Sequence, residues 1–222
     1  MTNSRNKPDA TATTQDVDTA KLMNEWRRLN LSIKGQPDNY QKQSQRILFA
    51  LESKLHHFLP GALQDLFIAL GEKGRPLRER MYSLVLPLLD QNDREYFHEW
   101  LAHDSDKTLY CHRFPGSVLT STTCIGTESE SDPYVAKASG SLIEKSRHAI
   151  TYGRVETAQS ILENAYTNTT TKPENSMVEE LLSLYAATRQ KDRLINFADS
   201  LQHRKFKLSN HWKQVLQSAK EW

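Results

Sequence analysis

Residues 142–165, LIEKSRHAITYGRVETAQSILENA, and residues 177–201, MVEELLSLYAATRQKDRLINFADSL, decide the fold. Each stretch reads as two amphipathic helices joined by a short turn. In the first, Leu142, Ile143, His148, Ala149 and Ile150 mark helix A, which ends near Tyr152-Gly153. Val155, Ala158, Ile161, Leu162 and Ala165 mark helix B at helical spacing. In the second, Val178, Leu181, Leu182 and Tyr185 mark helix A′, from about Glu174 to Thr188. Leu194, Ile195, Phe197, Ala198 and Leu201 mark helix B′. A last helix with His211, Trp212, Val215, Leu216 and Ala219 is placed to cap a stack of the two pairs.

Working outward, residues 1–15 are polar and contain proline, which predicts a disordered tail. A helical bundle is expected over 16–103. Leu22, Met23, Trp26 and Leu29 follow a capping Asp16 or Asp18, and Lys34-Gly35-Gln36-Pro37 stops that helix. Ile47, Leu48, Leu51, Leu55, Phe58 and Leu59 form one stripe, which Pro60-Gly61 interrupts. A short third helix carries Leu63, Leu66, Phe67 and Leu70. A fourth begins at Pro76 and is expected to kink at Pro87, and a fifth starts at Asp93. Residues 104–140 lose the helical stripe. Leu109 to Phe114 and Val118 to Ile125, split by Pro115-Gly116, read either as a weak hairpin or as part of a linker.

Composition narrows the class. The chain has 222 residues, 8 Gly and 8 Pro, which favours helices over a many-turned β fold. A net charge of +2 lacks the basic excess of a dedicated nucleic-acid binder. Eight Lys/Arg stand against three Asp/Glu from Thr188 to Trp222, and five against nine from Gly126 to Ala187. That asymmetry fits internal packing or an acidic partner. Two cysteines, no apolar leader and no long apolar run point to a cytoplasmic protein without a membrane span.

The chemistry-bearing residues give no convincing active site. His98 and His103 are five apart, about 140° around a helix, so they do not share a metal from one face. Cys111-His112, Cys124 and His103 lack the paired short spacing of a structural zinc site. His56-His57 lies on the second helix between Leu55 and Phe58 and reads as a pH switch or as an ordinary surface pair. Arg75-Pro-Leu-Arg78-x-Arg80 and Arg204-Lys205-x-Lys207 read as anion-binding clusters or as solvated helix ends. No metal and no cofactor is expected.

Tyr152-Gly153-Arg154-x-x-x-Ala158-x-x-Ile161-Leu162-x-x-Ala165, then Leu181-Leu182-x-Leu184-Tyr185-Ala186, then Trp212, resembles the cytoplasmic tetratricopeptide repeats of FimV/HubP-type bacterial polar scaffold proteins. The units start about 36 residues apart, and Arg189 stands where the first turn has Gly153. The resemblance covers roughly residues 144–219 and implies protein–protein docking linked to the cell pole, type IV pili or motility. No LysM-like region accompanies it, and Asp132-Pro133 lies further upstream than the family's repeat opening.

The expected protein is therefore all-α, an N-terminal helical bundle plus a C-terminal tetratricopeptide-like stack over 141–222. The expected function is a non-enzymatic adaptor or scaffold of a bacterial cytoplasmic assembly. Arg147, Tyr152, Tyr185 and Arg189 are its candidate partner-binding residues, on the inner faces of helices A and A′. The alternatives are a nucleic-acid-associated regulator or enzyme carried by the N-terminal bundle, and a secretion-system chaperone.

Overall fold

The computed structural model describes residues 10–103, 112–120, 140–169 and 173–222, with side chains from Val17 onward. It is all-α, with no strand among the described residues. Its α-helices are α1 Ala10–Gly35, α2 Tyr40–Glu52, α3 Leu59–Leu70, α4 Arg75–Val85, α5 Gln91–Ala102, α6 Leu142–Thr151, α7 Val155–Asn168, α8 Asn175–Ala187, α9 Lys191–His203 and α10 Asn210–Ser218. None of them is long and apolar enough to cross a membrane.

Two apolar cores form. The first gathers Trp26, Ile47, Leu63, Phe67, Phe97 and Trp100 from α1 to α5. The second gathers Ile150, Leu162, Leu181, Leu182, Leu194 and Trp212 from α6 to α10. A small third cluster, Ile33, Val118 and Val155, bridges them. Helix α3 is buried from Leu59 through Phe67, with both α2 and α4 packed on it.

Several boundaries differ from the sequence reading, each for a local reason. Helix α1 begins at Ala10, inside the expected tail. Helix α2 stops at Glu52. Lys54 adopts φ 56°, the Leu55 amide reaches back to the Ala50 carbonyl, and the Lys54 amide to that of Leu51. That closure ends a helix, so Phe58 and Leu59 do not extend the α2 stripe. Pro60 opens α3 rather than breaking it, since its missing N–H falls in the first turn. Gly61 lies inside α3, where a Cβ would sit 2.2 Å from the Pro115 carbonyl oxygen. Helix α4 ends at Val85, and Pro87 sits in the separate 3-10 turn Leu86–Leu88.

The expected hairpin does not form over its described part. Residues 112–120 enter the molecule as an irregular plug, with Phe114, Gly116, Ser117 and Val118 buried. A buried coil must satisfy its backbone without a ladder. Here α3 does so: the Asp65 carboxylate accepts from the Val118 amide at 2.9 Å, the Leu119 amide at 3.0 Å and the Ser117 hydroxyl at 2.7 Å. The Gln64 side chain accepts from the Phe114 amide and donates to the His112 carbonyl. The remainder of 104–139, with Cys111 and Cys124, lies outside the described residues, as does the tail before Ala10.

Asp65 also anchors a chain of bonds that runs between the cores. Its carboxylate takes the Arg46 guanidinium at 2.6 Å, both side chains being fully buried. Arg46 also donates to Asn30 Oδ1 at 3.1 Å, and Asn30 donates to the Ile150 carbonyl at 2.9 Å. Trp26 Nε1 donates to the Thr151 carbonyl at 2.9 Å. Helix α1 thus supplies side-chain donors to the last two carbonyls of α6, those of Ile150 and Thr151.

Candidate partner-docking cleft

The two helix pairs end their first helices with the same turn. Gly153 has φ 78° and Arg189 has φ 54°. In the first, the Arg154 amide bonds the Ala149 carbonyl and the Gly153 amide that of Ile150; in the second, Gln190 bonds Tyr185 and Arg189 bonds Ala186. Ser141 opens α6 with a reciprocal capping box to Glu144. Helix α10 adds its Trp212 to the stack core, with Nε1 donating to Glu179 at 2.6 Å.

The exposed edges of the A helices are not bare. Helix α1 packs against both α6 and α8. Leu31 joins the stack core, and Arg27 donates to the Thr151 hydroxyl at 3.2 Å. Lys34 pairs with Glu156 and donates to the Val118 carbonyl. Part of the inner face expected to receive a partner is therefore covered by the chain's own first helix.

What remains open is a cleft of about 640 Å³ where α1, α6 and the 3-10 turn His56–Phe58 meet. Met23 and Arg27 form one wall, His57 and Phe58 a second, and Glu144, Arg147, His148, Thr151 and Tyr152 the third. The floor is aromatic. Tyr152 stands edge-on to Phe58, centroids 5.4 Å apart, and 4.8 Å from the His148 ring. Phe58 stacks on Trp26 at 5.2 Å. Burial holds Arg27 below its usual pKa, and the neighbouring Arg147 charge adds to that effect.

The four expected contact residues separate. Arg147 lines the cleft and makes a bidentate pair with Glu180 of α8, at 3.0 and 2.8 Å. Tyr152 forms the floor, half-buried, and its carbonyl accepts from the Gly116 amide of the plug. Tyr185 is 4% exposed and lies in the stack core, its ring edge-on to Phe197 and its hydroxyl donating to Glu163 at 2.6 Å. Burial, reinforced by the Glu163 hydrogen bond, pushes its pKa well above the usual tyrosine value. It is a packing residue rather than a surface contact. Arg189 is exposed on the turn after α8, away from the cleft lining.

The cleft residues that the sequence reading missed are Met23, Arg27, His57 and Phe58. Their signal was present in α1. Apolar residues at 22, 23, 26, 29, 31 and 33 cover more than one stripe, as a helix with two packed faces requires. Both His98 and His103 are exposed, and Trp100 faces inward. Among the described residues no three His, Cys, Asp or Glu side chains gather in the manner of a metal site.

The arginine clusters disperse as well. Arg75 pairs with Glu79 at 2.8 Å, and Arg78 is buried with its guanidinium 5.3 Å above Phe67. Arg204 lies 4.3 Å over Tyr166 and donates to the Thr169 carbonyl. Arg75, Arg78 and Arg204 are thus engaged within the fold, while Lys205 and Lys207 line one surface hollow together with Glu179. No family model, curated protein or solved structure matches this chain.

Proposed function

We propose that the chain is a non-enzymatic protein–protein adaptor or scaffold of a bacterial cytoplasmic assembly, and that it docks a partner at the cleft between α1, α6 and the His56–Phe58 turn. The observation that carries this reading is the character of the cleft. It is open, floored by Phe58 and Tyr152, and rimmed by Arg27 and Arg147. Aromatic and arginine side chains at a concave surface are the usual anchors of a protein interface. Its two arginines already hold the fold: Arg147 is tied to Glu180, and Arg27 to Thr151 and Asn24. The imidazoles of His57 and His148 also line the cleft, in ring contact with Phe58 and Tyr152. The repeated hairpins and the resemblance of residues 144–219 to polar-scaffold repeats agree with the same reading.

The test is affinity capture from native lysate with wild type, a Met23→Glu/Arg147→Glu variant and an Arg189→Ala variant. Met23 is half-buried and Arg147 is exposed, so neither lies in a core, although Arg147→Glu also breaks the pair with Glu180. Circular dichroism checks the fold. The expected result is one dominant protein, lost with the cleft variant, kept with Arg189→Ala, and bound directly when purified. Capture that ignores the cleft variant removes this site.

A further inference from the structure

A second open surface lies on the N-terminal bundle. Helices α2 and α4 flank α3, and between their outer faces runs a groove of about 570 Å³. Ser44 and Leu48 line one side, one helical turn apart. Leu77, Met81 and Leu84 line the other at i, i+4 and i+7. That series spans about 10 Å of helix axis, or two turns. Leu48 is 43% exposed and Leu84 47% exposed, so two leucines face each other across the groove in water.

Arg80 sits in this lining as its one charged side chain. It is the third arginine of the cluster at 75–80. Arg75 has Glu79 and Arg78 has the Phe67 ring, whereas Arg80 has no ion-pair partner among the described residues. The groove thus offers an apolar seam of helical spacing and one unneutralised cation.

We infer that this groove seats an amphipathic helix of a partner protein, carrying aliphatic residues at i, i+4 and i+7 and a carboxylate opposite Arg80. The spacing of Leu77, Met81 and Leu84 matches the ridges of a docked helix, which completes a layer over α3. A second copy of this chain fits less well. Two self-paired grooves bring two Arg80 guanidiniums and no lining carboxylate into one interface. The inference stands apart from the cleft reading, since no residue is shared between the two surfaces.

The test uses two fluorescein-labelled amphipathic helical peptides of about 16 residues, identical except for Glu or Lys at the position facing Arg80. Binding is read by anisotropy, and the surface by amide shift perturbation in the full chain. The Glu peptide is expected to bind and to shift amides along α2 and α4. Leu84→Glu, at a half-exposed site, weakens it about tenfold or more. Arg80→Glu weakens the Glu peptide and restores the Lys peptide, which loss of fold does not imitate. Failure of both peptides to bind overturns the inference, as does binding indifferent to Leu84→Glu. Concentration-dependent dimerisation that Leu84→Glu abolishes also overturns it, by making a second copy the occupant. Loss of capture by the Met23→Glu/Arg147→Glu variant, with peptide binding intact, separates the two surfaces.

Discussion

Helix pairs α6–α7 and α8–α9 turn through the same backbone, yet one turn carries Gly153 and the other Arg189. The difference comes from what lies against each turn. A Cβ on Gly153 would stand 2.1 Å from the Ser117 carbonyl oxygen of the plug, so backbone meets backbone there. Arg189 is exposed and meets nothing of the kind. The plug meets the first pair at the glycine of its turn, whereas Gly35 of α1 meets the second pair one step earlier, at the Ala187 and Thr188 backbone. The left-handed conformation alone does not call for glycine; the close approach does. Two structurally equivalent positions therefore carry different residues because backbone stands against the Cβ position of one, while the other carries an exposed side chain.

The strongest way to break this asymmetry is to remove what holds the plug. Asp65→Ala deletes the acceptor of the Val118 and Leu119 amides and leaves Arg46 charged in a fully buried site. Removing one partner of a buried ion pair costs about 3–5 kcal/mol. The expected result in urea titration is a loss of that order. Hydrogen exchange should rise in residues 112–120 and at the α6 C-terminus before it rises in α8 and α9. Uniform acceleration across both pairs would falsify the plug as the specific tie.

A smaller effect is expected from Gly153→Ala. The left-handed conformation costs an alanine about 1–2 kcal/mol, and the Ser117 carbonyl must also move. The variant should lose at least that much stability, while Arg189→Ala at the equivalent position changes little. A Gly153→Ala loss no larger than about 1–2 kcal/mol would mean that conformation alone, not the plug, sets the cost.

The second pair has its own internal tie in Tyr185. Tyr185→Phe removes the hydroxyl donor to Glu163, a bond of about 1 kcal/mol net to stability. The pH dependence follows from the raised pKa. The folded state holds the Tyr185 proton more tightly than the unfolded chain, whose value is near 10. Stability from this group is fully present below pH 10 and falls as pH rises beyond it, because the unfolded chain ionises first. The Phe variant should therefore be less stable at pH 7 and should lose less between pH 10 and 11 in thermal melts. Parallel alkaline limbs for the two proteins would contradict the placement.

The helices of the stack were legible because their apolar residues recur at helical spacing and their ends carry visible signals, Ser141 with Glu144 among them. The all-α class followed from the same periodicity. The plug was not legible. Its backbone is satisfied by Asp65 and Gln64, about 50 residues earlier, and side-chain partners of that kind leave no periodic trace. The end of α2 was hidden because Lys54 performs a turn usually signalled by glycine or asparagine. The candidate site was half legible. Arg147 and Tyr152 lie on a helix whose pattern was clear, but the opposite wall of the cleft comes from α1 and the His56–Phe58 turn. Tyr185 was misplaced because an aromatic at helical spacing reads alike whether it faces a groove or fills a core. Only the Glu163 and Phe197 contacts distinguish the two.

The smallest predicted effect gives the sharpest form of the comparison between the two turns. Arg189→Gly relieves a left-handed non-glycine residue, worth about 1–2 kcal/mol, and adds backbone freedom to the unfolded chain, costing about 0.5–1 kcal/mol. The Arg189 side chain is exposed, so little packing is lost. The net expectation is a gain of a few tenths to about 1 kcal/mol, read as a higher urea midpoint at unchanged slope. A gain at 189 set beside a loss at 153 would show that the turn geometry favours glycine at both sites, and the part of the 153 loss beyond about 1–2 kcal/mol would measure the Ser117 carbonyl. A loss at 189 would instead assign the Arg189 side chain a stabilising contact of its own and remove it from the free surface of the second pair.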